Sequence, residues 1–152
     1  MHRRARLGLR DVAIGATLIV ACLGLSACGE VESATVSGYQ PSKVQPEAGT
    51  ESGVRVTFTQ EGADRTGLET APVRPSGTNS VVPYAAVIYD PQGLTYVYSR
   101  VAPLAFVRVQ VVIERVDGNA VLLSKGPAVG TEVVTVGSIQ VYGTELGIDG
   151  AH

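Results

Sequence analysis

Three observations predict a mainly β fold for this chain. Apolar and polar side chains alternate over several short runs, glycine- and proline-rich turn pairs separate those runs, and no stretch keeps a helical period for long. The expected architecture is a small antiparallel β-roll or barrel-like domain over residues 53–148, with one or two short helices. A signal peptide (1–27) and a disordered tether (28–52) are expected before it, and residues 149–152 are left as a tail.

The first 27 residues have a basic start, Arg3, Arg4, Arg6 and Arg10, and then a mostly apolar run over 12–23. Leu25-Ser26-Ala27-Cys28 closes the segment, with small residues ahead of a cysteine. Small side chains let a peptidase bind an extended backbone, and the thiol directly after them is placed to carry a diacylglycerol. Those four residues match the bacterial lipobox, so Cys28 is the expected lipid-attachment residue and the first residue of the mature chain. Cys22 is a second candidate, but cleavage there would leave apolar residues after the cut. Twelve residues, interrupted at Gly24, fall short of the roughly 20 that a membrane-spanning helix needs. The expected location is the extracytoplasmic face of the cell membrane, the periplasmic side in a two-membrane cell. Two or three acyl chains hold a protein there stably, where one would not.

Removing 27 of the 152 residues takes away four arginines and one aspartate, which moves the formal charge from −2 to −5. That balance disfavours nucleic acid and anionic headgroups as partners. Cys28 is then the only cysteine, so no disulfide is available and a packed core must supply the stability.

Residues 29–52 are rich in Ser, Gly, Pro, Thr and Glu without apolar period, which reads as tether. Val54, Val56 and Phe58 alternate with Arg55 and Thr57, a strand. Residues 60–67 read as a helical turn closed by Gly67, 68–73 as a second extended piece, and 74–79 as a loop. An apolar strand over 85–89 and a tyrosine-rich one over 94–100 flank the turn Asp90-Pro91-Gln92-Gly93, in which proline presets φ and glycine tolerates its positive range. One long strand is expected over 104–116, with Ala105, Val107, Val109, Val111 and Ile113 on one face and Arg108, Gln110 and Glu114 on the other. Asp117-Gly118 is a hairpin signal leading to Val121, Leu122 and Leu123. A last strand covers 133–136, and Ile139, Tyr142 and Leu146 mark the apolar face of a short C-terminal helix.

Chemistry-bearing residues are few. His2 lies in the signal segment and His152 is the last residue, so no internal histidine serves as base or metal ligand. No G-x-S-x-G elbow occurs. The carboxylates, among them Asp64, Asp90, Glu114 and Glu145, sit beside turns or at strand ends. The chain is therefore expected to be no enzyme and to hold no cofactor or metal. Tyr84, Tyr89, Tyr96 and Tyr98 cluster in sequence, and such a cluster forms either a binding face or a core with hydroxyls at its edge.

Val82-Pro83-Tyr84-Ala85-Ala86-Val87-Ile88-Tyr89-Asp90, then Thr95-Tyr96-Val97-Tyr98 and Phe106-Val107-Arg108, carry a resemblance. They are similar to the C-terminal region of membrane fusion proteins, the HlyD-like periplasmic adaptor subunits of efflux pumps. The likeness continues in order through Asp117-Gly118, Leu123-Ser124-Lys125-Gly126-Pro127, Gly130-Thr131-Glu132-Val133 and Val141-Tyr142-Gly143-Thr144-Glu145-Leu146-Gly147. Thr66-Gly67-Leu68-Glu69-Thr70-Ala71-Pro72-Val73 resembles a segment near the start of such adaptors. The lipoyl-like domain and helical hairpin that separate these pieces in a full adaptor are replaced here by residues 74–80. The resemblance implies the membrane-proximal β domain alone, docking on a transporter subunit. The alternative is a lipoprotein that binds a small ligand or an envelope polymer through the tyrosine face.

Cys28→Ser removes the attachment thiol. Fractionation of cells expressing it is expected to move the protein from the membrane to the soluble fraction; retention in the membrane would mean that the first segment is a spanning helix.

Overall fold

The computed structural model describes residues 40–148. The expected signal segment, Cys28, the first part of the expected tether and the tail lie outside them. Eleven strands form two antiparallel sheets, with two short helices, as the alternation predicts; the sheets stay open and do not close into a barrel.

The first strand, β1 (Ser42–Pro46), lies inside the expected tether and corrects that boundary. It pairs along its length with β2 (Val54–Phe58), from Ser42 opposite Phe58 to Pro46 opposite Val54. Its side chains are mostly exposed, so its order comes from backbone ladder bonds, which leave little trace in apolar patterning. Helix α1 (Gln60–Thr66) follows, capped by the Thr59 hydroxyl accepting from the Gly62 N–H at 3.0 Å and ended by Gly67 at φ 65°. Gly62 has a second role. A Cβ there would overlap the Pro41 carbonyl oxygen, which also accepts from the Thr59 N–H at 2.9 Å. The chain's entry into the domain is thus pinned against α1.

β3 (Glu69–Pro72) runs in the first sheet, and at buried Val73 the chain crosses to the second. There β4 (Arg74–Ser76) and β5 (Asn79–Pro83) make a hairpin turning at Gly77, φ 61°, where a loop was expected. The expected strand over 85–89 is shorter. Tyr84–Ala86 forms a single 3-10 turn after Pro83, and only β6 (Ile88–Tyr89) is extended. β7 (Thr95–Ala102) and β8 (Ala105–Gln110) form the centre of the first sheet. Their turn sets Leu104 at φ 55°, a left-handed conformation that costs a leucine roughly 1–2 kcal/mol. Packing of Leu104 on the core and its carbonyl's bond from the Phe58 N–H at 2.9 Å offset that cost.

The long strand expected over 104–116 divides at Val111. β9 (Val112–Asp117) belongs to the second sheet, while the alternation runs through the break undisturbed because Val109, Val111 and Ile113 still face one core. β10 (Ala120–Lys125) closes the predicted hairpin at Gly118, φ 57°. β11 (Glu132–Val136) returns to the first sheet, and α2 (Ser138–Glu145) ends the fold.

The strand order is β1-β2-β8-β7-β11-β3, with β6 also on β7, in one sheet and β4-β5-β10-β9 in the other. Two cores lie on opposite faces of the first sheet. Phe58, Ile88, Tyr98, Phe106 and Val134 pack with Ala63 of α1 and Val141 of α2. Val97, Val133, Val82, Val121 and Leu123 fill the space toward the second sheet. Residues 40–148 are therefore arranged in three layers: helices, sheet, sheet. The four strands that end the two ladders carry residues that discourage further pairing, while the two-residue β6, paired with β7 alone, does not. The residues are Pro46 on β1, Pro72 on β3, Pro75 on β4, and Glu114, Arg115 and Asp117 on β9.

Candidate functional site

β7 is covered on both faces, so its neighbours Val97 and Tyr98 enter different cores. Strand alternation then places Tyr96 and Tyr98 on the helix side, and the same alternation on β8 places Arg108 beside them, opposite Tyr98 in the ladder. α2 lies over this spot and lowers Glu145 into it. The Tyr98 hydroxyl donates to Glu145 Oε2 at 2.6 Å, and Arg108 Nη2 meets Glu145 Oε1 at 3.1 Å. The Glu145 side chain is only 5% exposed and that of Arg108 19%. The guanidinium carbon sits 4.5 Å from the Tyr96 ring centroid and 5.7 Å from that of Tyr142, a cation held between two aromatic faces. Arg108 Nε is buried without a hydrogen-bond partner, which the ring contacts only partly compensate.

This cluster is a latch rather than a reaction centre. Its one carboxylate has both oxygens engaged, and its tyrosine is wholly buried. Burial pushes the Tyr98 pKa well above 10, the bond to Glu145 and that carboxylate's charge push it further, and Arg108 only partly opposes them. Four other carboxylates hold turns or tie separate elements together. Asp90 accepts from the N–H groups of Gln92 and Leu94, Asp64 accepts from Gln60, Glu114 accepts from Asn79, and Glu51 accepts from the Gln110 N–H. Among the described residues no three His, Cys, Asp or Glu side chains gather as a metal site.

The four tyrosines separate into three environments. Tyr98 is core. Tyr96 lies under Arg108, its pKa raised by burial and by Asp90. Tyr84 and Tyr89 remain outward, 46% and 50% exposed, on either side of Ile88 and the buried Ala86. Partial burial and the nearby Tyr84 hydroxyl raise the Tyr89 pKa. Leu94, 45% exposed, closes the turn beside Tyr89 through its carbonyl bond from the Asp90 N–H. The four tyrosines thus divide between the two readings, Tyr96 and Tyr98 as a structural pair and Tyr84 and Tyr89 as a surface pair.

The predicted apolar face of the last helix is also redistributed. Val141, Ser138 and Thr144 are buried and Tyr142 packs against the helix-side core as expected, whereas Ile139 is 63% and Leu146 51% exposed. Beside them a groove of about 260 Å³ is lined by Pro41, Ser42, Phe58, Gly143, Thr144 and Ile148 among others. A scan of the chain against protein-family models matches none, and a search of curated proteins finds no similar one.

Breaking the latch from one side strands a largely buried charge. Glu145→Gln is expected to cost about 2–4 kcal/mol in urea unfolding, and Arg108→Met with Glu145→Gln together clearly less than the two single losses added. Tyr98 supplies a pH signature. Its folded pKa is raised, so above pH 10 the unfolded chain releases a proton that the folded chain keeps, and stability falls by about 1.4 kcal/mol per pH unit for this group. Unfolding curves between pH 9 and 11 check this, with Tyr98→Phe expected to reduce the slope by that amount.

Proposed function

We propose that the chain is a non-enzymatic, lipid-anchored extracytoplasmic module that docks on a membrane transporter, as an adaptor-like component of an efflux or export system. The observation that carries the reading is the outward Tyr84–Tyr89 pair on the segment that bears the adaptor resemblance. Tyrosine combines a large apolar area with a hydroxyl and few rotatable bonds, so it gives up little entropy when a partner covers it. Residues 84–89 are held firmly from behind. Ala86 and Ile88 are buried, the Tyr84 N–H donates to the Asn119 carbonyl at 2.8 Å, and Ser138 Oγ donates to the Ala85 carbonyl at 3.3 Å. Mature net charge of −5 favours a protein partner over nucleic acid. The ligand-binding alternative is weaker, because burial of Tyr98 and the guanidinium over Tyr96 break the four-tyrosine face on which it depended.

Crosslinking of the acylated protein in its own membranes, followed by mass spectrometry, is expected to recover a transporter subunit. Tyr84→Ala with Tyr89→Ala is expected to lower recovery about tenfold or more, since exposed aromatic anchors contribute around 1–2 kcal/mol each at an interface. Recovery of no transporter subunit would sink the reading, and undiminished recovery with the double variant would move the contact elsewhere.

A further inference from the structure

We propose that the outer face of helix α2, Ile139, Gly143 and Leu146 together with Ile148, lies against the lipid bilayer and orients the domain on its anchor. The inference rests on lipid attachment at Cys28. Four observations carry it.

First, the residues form one surface. Ile139, Gly143 and Leu146 stand at i, i+4 and i+7, a single helix stripe, and the Ile148 N–H donates to the Gly143 carbonyl at 2.8 Å. Ile148 is the most exposed large apolar side chain among the described residues at 70%, and the space outside Gly143 is open. Second, the face is uncharged. Glu145 is the only charged residue of α2, and it is turned inward to Arg108 and Tyr98. Interfacial helices that bind anionic lipid carry lysine and arginine on their polar side; this one has none, which fits apolar contact with a zwitterionic surface.

Third, the described chain begins at this pole. Pro41 and Ser42 line the same groove as Gly143 and Ile148, and Pro41 is fixed there by Thr59 and Gly62. Fourth, the connection is short. Twelve residue steps separate Cys28 from Gln40, spanning at most about 40 Å however they are arranged. A domain of this size is itself roughly 35 Å across, so its far side reaches the membrane only when the connection is almost fully extended, and any shorter span keeps the entry pole nearest. A few aliphatic side chains bind a bilayer only weakly on their own. Tethering raises their effective concentration at the surface to the order of millimolar, where weak contact is populated.

The chain has no tryptophan, so a single one reports its own position. The full acylated protein carrying Ile139→Trp, and separately Ile148→Trp, would be mixed with phosphatidylcholine vesicles, some with brominated acyl chains. Val116→Trp, on β9 in the sheet farthest from the helices, is the comparison. Flotation with the vesicles tests attachment, and bromine quenching tests the face. Quenching of both helix-side reporters, by about twofold or more relative to Val116→Trp, is the expected result for side chains at the headgroup–acyl boundary. A protein that floats but shows no quenching, or equal quenching at all three sites, overturns the orientation and leaves the anchor standing. A protein that does not float overturns both. Emission of Ile139→Trp that shifts blue only when transporter-containing membranes are added would make this a protein-docking face and also overturn the proposal.

Discussion

The constraint on which the structure depends is that strand β7 is buried on both faces. Once Val97 and Tyr98 each require a core, the sheet must be covered on one side by a second sheet and on the other by helices. The second sheet is an economical cover, because the chain crosses into it at Val73 and Val111 without long connections. The helical cover is harder to secure. α2 has eight residues, a glycine within it, and a glycine N-cap that offers no side-chain acceptor. Such a helix is marginal by propensity and length. The Arg108–Glu145–Tyr98 latch and Val141 hold it in place, and the buried ion pair supplies register as much as stability.

Most strands were legible because one face of each meets a core, which stamps a two-residue period on the sequence. That same signal fails where a strand changes sheets. Val109, Val111 and Ile113 keep their alternation across the corner because both sheets turn the same face toward one core, so the division at Val111 leaves no mark in the pattern. β1 was missed for the opposite reason. Its side chains are mostly in solvent, and only its ladder with β2 orders it. Around α2, Ile139 and Leu146 point away from the sheet, because close packing over Tyr98 takes Val141, Tyr142 and Thr144 and leaves room for Glu145. Arg108 and Glu145 were both visible as single residues; their meeting across 37 positions belongs to the tertiary fold and has no local signature.

The surface has a division of labour consistent with a module that meets other molecules by its faces. Proline or charge interrupts the end strands of both ladders, and the exposed apolar side chains include two groups, one around Tyr84, Tyr89 and Leu94 and one along Ile139, Leu146 and Ile148. These belong to different elements, one on the turn-and-hairpin region before β7 and one on the last helix. A domain that leans on a membrane by one of them keeps the other available to a neighbour.

The groove shared by Pro41, Ser42 and Ile148 has one more consequence. Both ends of the described chain arrive at the same place, so the domain is topologically a loop that has been cut at a single point. A protein built this way can be spliced into a host sequence, or have its start moved to the Gly77 or Gly118 hairpin and its old ends joined, with no element displaced. The order in which the strands are written along the chain is thus partly a matter of where the cut falls.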